Sequence, residues 1–210
     1  MTETTKGLIL RTRPLTDSSL IVHWLTPDFG RLATVAKGAR KPKSTFAGKL
    51  DLFYLAEFSF QRSRRSELHQ LREVSLKDTH AKIREELDYV QQASYCGALI
   101  EQTTELEAPI PEIFSLLQNF LANLAKQPPL PQMVFAFEIK LLSELGLQPD
   151  FEQEKLNPDL KQILRILLVS DWSALSRLKL SETQTTAVRR YLHGFLIYHV
   201  GKIPLTRKRN

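Results

Sequence analysis

Two hydrophobic periods divide this chain. Up to about residue 78, apolar and polar positions alternate by two, the pattern of half-buried strands; beyond it, apolar residues recur at three and four, the pattern of helices. Residues 6–14 read as a first strand, with Leu8 and Leu10 on one face and Ile9, Arg11 and Arg13 on the other. Thr16-Asp17-Ser18 is turn material. Residues 19–26 form a second strand, with Leu20, Val22 and Trp24 opposite Ile21, His23 and Leu25. Pro27-Asp28-Phe29-Gly30 is a short connection to a third strand at 31–37. After an interruption, 50–61 reads as a long fourth strand with Leu52, Tyr54, Ala56, Phe58 and Phe60 on one side. A basic turn, Arg62-Ser63-Arg64-Arg65-Ser66, leads to a fifth strand at 67–74.

Five strands in about 75 residues predict a small closed barrel, because closure removes exposed edges, and the OB-fold is the natural five-stranded candidate. The second half reads as an all-helical bundle. Ile83, Leu87, Val90 and Ile100 mark a long helix ending before Ala108-Pro109-Ile110-Pro111. Ile113, Leu116, Leu117, Phe120, Leu121 and Leu124 form an amphipathic stripe. The helix carrying Phe135, Phe137, Ile139, Leu141 and Leu142 is apolar nearly all round, which predicts a central position, with Gly146 at its C-terminal cap. Asn157-Pro158 opens a helix through Leu168, and Ser181 with Gln184 fits a capping box for a last helix reaching Gly201. The predicted class is α+β, with a barrel domain at 1–79 and a helical domain at 80–210.

Charge sharpens this picture. The 210 residues carry a net charge of +6, unevenly placed. Residues 1–80 hold fourteen Lys and Arg against eight Asp and Glu, and residues 81–201 hold eleven against fifteen. The positive field therefore belongs to the barrel. It peaks in 31–50, where Arg31, Lys37, Arg40, Lys41, Lys43 and Lys49 meet no acid. A like-charged loop repels itself, but gains from a polyanion by releasing counterions. Arg11, Arg13, Arg31, Lys37, Arg40, Lys41, Lys43, Arg62, Arg64 and Arg65 are the candidate phosphate ligands. Phe46 is the candidate base-stacking ring, since it has no strand partner; the alternative is a loop residue tucked onto the barrel. Trp24, Tyr54, Phe58 and Phe60 alternate along strands and read as core.

Other chemistries find little support. Cys96 is the only cysteine, which excludes an internal disulfide and a multi-cysteine zinc site. The five histidines fall in no metal-ligand spacing, and neither a phosphate-binding P-loop nor a Gly-x-Ser-x-Gly elbow is present. The expectation is a protein that is not an enzyme and needs no cofactor or metal. The polar opening hexapeptide and the lack of a long apolar run predict a cytoplasmic location.

The order of residues resembles a known family. Gly7-Leu8-Ile9-Leu10-Arg11, Asp17-Ser18-Ser19-Leu20-Ile21-Val22, Gly30-Arg31 and Lys37-Gly38-Ala39-Arg40-Lys41-Pro42-Lys43-Ser44 are similar to the N-terminal domain of the RecO family. Phe137-Glu138-Ile139-Lys140-Leu141-Leu142, Leu145-Gly146-Leu147-Gln148-Pro149 and the closing Gly201-Lys202-Ile203-Pro204-Leu205-Thr206-Arg207-Lys208 agree. The resemblance implies an OB-fold followed by helices, and a recombination mediator in DNA repair. Its implied activities are binding of single- and double-stranded DNA, annealing of complementary strands, and help in loading RecA onto DNA coated by single-stranded DNA-binding protein (SSB), the RecF pathway. It also implies RecR and the acidic C-terminal tail of SSB as partners, and a nucleoid-associated place in the cytoplasm. Such a tail needs an apolar pocket rimmed by Lys or Arg, for which Lys140, Arg189, Arg190 and Arg207 are the candidates. Many relatives carry a four-cysteine zinc cluster after the segment matching 145–150; here Phe151-Glu152-Gln153-Glu154 and the residues beyond them contain no cysteine, so zinc is not carried over. Two other readings stay open on the residues alone: an RNA-binding accessory protein using the same basic surface, and a metal nuclease built from carboxylates such as Asp51, Glu57, Glu67 and Glu73.

Overall fold

A computed structural model of the chain describes residues 2–151 and 156–204. It divides into two compact units, one formed by Met1–Ala81 with Thr104–Ser115, the other by Lys82–Thr103 with Leu116–Asn210. The connector 104–115, which comes after a helix in sequence, thus belongs with the strands.

The first unit is a closed five-stranded barrel, with strands β1 (Thr2–Pro14), β2 (Leu20–Thr26), β3 (Gly30–Ala36), β4 (Leu55–Gln61) and β5 (Leu68–Asp78) in the order β1-β2-β3-β5-β4. All pairings are antiparallel except β3 with β5, the parallel contact that closes the OB-like barrel. Its interior is aromatic: Trp24 stacks on Phe58 at 4.0 Å between centroids, and the indole N–H donates to buried Thr34 Oγ1 at 2.8 Å. That bond satisfies the one polar atom Trp24 brings inside. Tyr54, Phe58 and Phe60 sit in the same core, as their alternation predicts.

Two local features depart from plain alternation. The β1–β2 register slips between Ile9 and Arg11, so that Ile9 faces Trp24 while Arg11 faces His23, with Leu10 as the extra bulge residue. Ile9 therefore stays in the core and Arg11 and Arg13 turn outward; the expected sharing of one face by all three is corrected by this bulge. The expected strand at 50–61 begins only at Leu55. Before it, Asp51 holds a turn, its side chain accepting from Leu52 N–H at 2.8 Å and its carbonyl from Tyr54 N–H at 3.3 Å. Phe53 N–H then donates to Ile9 O at 2.8 Å and Ile9 N–H to Tyr54 O at 3.0 Å, so the turn docks beside the bulge.

The second unit is helical: α1 (Leu87–Thr103), the second part of α2 (Pro111–Leu124), α3 (Pro131–Glu144), α4 (Pro158–Val169), α5 (Trp172–Arg177) and α6 (Glu182–Val200). α3 is central, packing against α1, α4, α5 and α6 with Phe135, Phe137, Ile139, Leu141 and Leu142 buried. The Tyr95 hydroxyl donates to fully buried Glu138 at 2.5 Å. Asn157 caps α4, and Ser181 with Gln184 forms the predicted capping box at α6. The short α5, capped by Asp171, has no forecast in the hydrophobic pattern. No helix of the described residues is long and apolar enough to cross a membrane.

Candidate nucleic-acid interface

The bulge at Leu10 creates the first part of the site. It aims Arg11 and Arg13 away from the core, opposite His23 and Ile21 of β2. Both arginines are exposed. His23 of β2 faces Arg11 across this ladder. Burial first, then the charges of Arg11, Arg13 and Arg31, push its pKa from 6.5 down to about 4. The imidazole is therefore neutral at pH 7, and its Nε2 finds no hydrogen-bond partner among the described residues. His23 was not among the expected site residues; its position opposite Arg11 appears only once the register is known.

The second part is the loop after β3, a chain of tight turns. Lys41 N–H donates to Gly38 O at 3.0 Å, Ser44 N–H to Lys41 O at 3.1 Å, Ala47 N–H to Ser44 O at 3.1 Å and Lys49 N–H to Phe46 O at 3.0 Å. It is pinned twice. Arg40 donates its backbone N–H to Ser18 O at 3.1 Å and its guanidinium to Thr16 O at 2.9 Å, fastening the loop to the β1–β2 turn. Phe46 enters the barrel core and keeps only 7% of its surface exposed. Phe46 therefore has no free face for a base, which corrects its assignment as a stacking ring; burying an aromatic side chain is the larger gain. Between the two pins, Lys41 and Lys43 are exposed. The register brings Arg13 and Lys37 to the Leu20 end of β2, where Arg40 is pinned, and leaves Arg11 opposite His23 at mid-strand.

The remaining expected ligands lie elsewhere. β2 runs from the turn that Arg40 grips to the hairpin at 27–29, and seven residues of strand separate these ends by about 20 Å. Arg62 belongs to the far end. Its guanidinium lies 5.5 Å from the Phe29 ring centroid and pairs with Glu3 at 2.9 Å and with Glu107. Arg64 and Arg65, exposed in the same turn, share that end. Arg31 is half-buried and donates to Thr104 through Nε at 2.8 Å and through Nη2 to the Thr104 carbonyl. Arg31 and Arg62 thus clamp the 104–110 segment, and these bonds compete with their expected role as phosphate ligands. Glu107 completes this clamp: its N–H donates to Arg31 O at 3.0 Å and its carboxylate faces buried His69 Nε2 at 3.0 Å. The docking is so close that a Cβ on Gly30, at φ +64°, would stand 1.8 Å from Ala108 O.

In the helical unit, Lys140 is half-buried. Its Nζ donates to Leu168 O and lies 6.0 Å from the Trp172 ring, and burial lowers its pKa. It braces α3 against the end of α4 and the start of α5. Arg189 is half-buried, while Arg190 is exposed and lines an open groove of about 870 Å³ between α4 and α6. Arg207 lies outside the described residues. No three His, Cys, Asp or Glu side chains of the described residues come together as a cation site.

The family described as Recombination protein O N terminal matches residues 1–80, and Recombination protein O C terminal matches residues 84–155. The chain belongs to the RecO family. It is 31% identical over 170 residues to the DNA repair protein RecO of Syntrophus aciditrophicus, covering 79% of this chain and 66% of that one. It is 30% identical over 148 residues to that of Bacillus pumilus, covering 70% of this chain and 57% of the relative. With that of Myxococcus xanthus it shares 32% over 146 residues, 70% of this chain and 59% of the relative. The matched part of this RecO chain thus spans about three fifths to two thirds of these curated relatives.

Proposed function

We propose that this RecO chain is a non-catalytic mediator of recombinational DNA repair, working in the cytoplasm at the nucleoid. It holds single- and double-stranded DNA on the barrel surface that carries Arg11, Arg13, Lys37, Arg40, Lys41 and Lys43. One observation supports the reading: Lys41 and Lys43 are exposed between the two pins of the loop after β3, and Arg11 and Arg13 are turned outward on β1. Phosphate binding at such a surface releases counterions and lowers the mutual repulsion of two strands. Base pairing between complementary strands then proceeds without nucleotide hydrolysis. Names of relatives, all DNA repair protein RecO, support the cellular role. Within the same proposal, RecR and the acidic SSB tail are protein partners, and RecA is served by clearing SSB from the strand.

Fluorescence titration with a labelled single-stranded oligonucleotide at several salt concentrations, then an annealing assay without Mg²⁺ or nucleotide, tests this. The expected result is salt-sensitive binding and accelerated annealing. Stronger binding to structured RNA than to DNA points instead to an RNA accessory protein, and Mg²⁺-dependent cleavage to a nuclease.

A further inference from the structure

The end of the barrel that carries Arg62 holds an anion that the chain supplies itself. The Glu107 carboxylate sits between the Arg62 guanidinium and the His69 imidazole. Arg62 is oriented by Glu3, which accepts from its Nε–H at 2.9 Å, and by the Phe29 ring, 5.5 Å away at its centroid. Its Nη1 is left to donate to Glu107. His69 is oriented as firmly. Its ring stacks on Phe60 at 5.4 Å between centroids, and its Nδ1 accepts from Ser63 N–H at 3.2 Å. That bond puts the proton of the neutral ring on Nε2. Two donors, one from β5 and one from the turn after β4, thus face the same carboxylate.

Glu107 fills this place poorly. Its Oε1 comes within 3.0 Å of His69 Nε2 yet makes no hydrogen bond with it, so a donor on a side chain only 2% exposed is left unsatisfied. A buried donor without an acceptor is destabilising. The backbone is strained as well: Glu107 stands at φ +56°, in the left-handed region that glycine or asparagine enters more readily. Its pair with Arg62 is about one-third exposed on both sides, and exposed pairs hold weakly. A simple tether would be served by glycine at this position, since the backbone N–H alone bonds Arg31 O. Strain kept beside a cluster of charged groups points to function.

We infer that Arg62 and His69 form a phosphate-binding site, and that Glu107 occupies it as a displaceable internal stand-in for the phosphate. The exchange is balanced in charge: one singly charged oxyanion leaves and a phosphodiester, also singly charged, enters. A tetrahedral phosphate presents oxygens in more directions than a planar carboxylate, so it satisfies Arg62 and His69 Nε2 together. Arg64 and Arg65, exposed in the same turn, add positive field. Because Glu107 is tethered beside the site, its effective concentration is high and it excludes an isolated phosphate. The site opens to phosphates that arrive in numbers. Only their source rests on the DNA-binding reading: a second strand, held at the opposite end of β2 from the turn that Arg40 grips.

Titration of the full chain with inorganic pyrophosphate, followed by heteronuclear NMR of the His69 ring nitrogens, tests the inference. Glu107→Gln is compared with the wild type and with Glu105→Gln, which removes the same charge from an exposed position two residues away. Glu107→Gln is expected to bind pyrophosphate about threefold or more tighter than either, with the His69 nitrogens shifting on binding. The wild type shows the same shift at higher pyrophosphate, so the result does not depend on the variant alone. Adding Arg62→Gln to Glu107→Gln removes the gain. Absence of a His69 shift in both wild type and Glu107→Gln overturns the inference, as does an equal gain in Glu105→Gln. Repeating the titration of Glu107→Gln with an oligothymidylate separates the two readings: a His69 shift with pyrophosphate but none with the oligonucleotide keeps the phosphate site and overturns DNA as its ligand.

Discussion

Arg11 stands opposite His23 across the β1–β2 ladder, and this cation, with Arg13 and Arg31, helps hold the imidazole uncharged. The pairing exists because one bulge residue, Leu10, shifts the register of β1. Without it, Arg11 and Arg13 would fall opposite Val22 and Leu20, on the core side of the sheet.

This environment makes stability depend on pH. His23 titrates near its ordinary 6.5 in the unfolded chain and at about 4 in the fold. Below pH 6.5 the unfolded state binds a proton that the fold excludes, so stability is full above that pH and declines as pH falls toward 4. His23→Gln removes this contribution. Denaturant midpoints at pH 7 and pH 5 are expected to differ less in the variant than in the wild type; an identical difference in both contradicts the assigned environment. A polyanion near Arg11 and Arg13 offsets their field and raises the His23 pKa. DNA binding should therefore take up a proton and tighten more between pH 7 and pH 5 in the wild type than in His23→Gln.

Phe46→Ala separates a core plug from a stacking ring. Loss of a buried aromatic side chain costs about 3–5 kcal/mol, and the midpoint of chemical denaturation should fall accordingly. Base stacking at this ring predicts the reverse: weaker DNA binding with stability unchanged.

Gly30→Ala tests the docking of the 104–110 segment. The positive φ alone costs about 1–2 kcal/mol, and the added methyl also collides with the Ala108 backbone. The variant should melt several degrees lower than the wild type and open the 104–110 connector to limited proteolysis. A melting temperature equal to wild type removes the basis for this close approach.

Much of the fold was legible in the sequence because one-sided burial enforces a period of two in strands and 3.6 in helices. Val22, Trp24, Phe58 and Phe60 face inward as their alternation requires, and Ser181 and Gln184 cap α6 as their spacing requires. What stayed hidden depends on register and long-range contact. The Leu10 bulge leaves no mark in a run of leucine and isoleucine, yet it reverses the direction of Arg11 and Arg13. Phe46 lies among lysines, and only the turns between Gly38 and Lys49 carry it back to the core. Arg31 and Arg62 look like any other surface cations until Thr104 and Glu107, distant in sequence, arrive to bind them. Charge composition identifies a basic barrel; it does not say how the cations are shared between its two ends.

That division into two ends is the central claim, and the salt dependence of single-strand binding tests it most directly. Each phosphate contact contributes about 0.7 to the slope of log affinity against log salt. Lys41→Ala with Lys43→Ala should flatten the slope by about 1 or more and weaken binding, while Arg64→Ala with Arg65→Ala at the far end should leave it near the wild-type value. An unchanged slope in the lysine variant, or an equal loss in the arginine variant, contradicts the account.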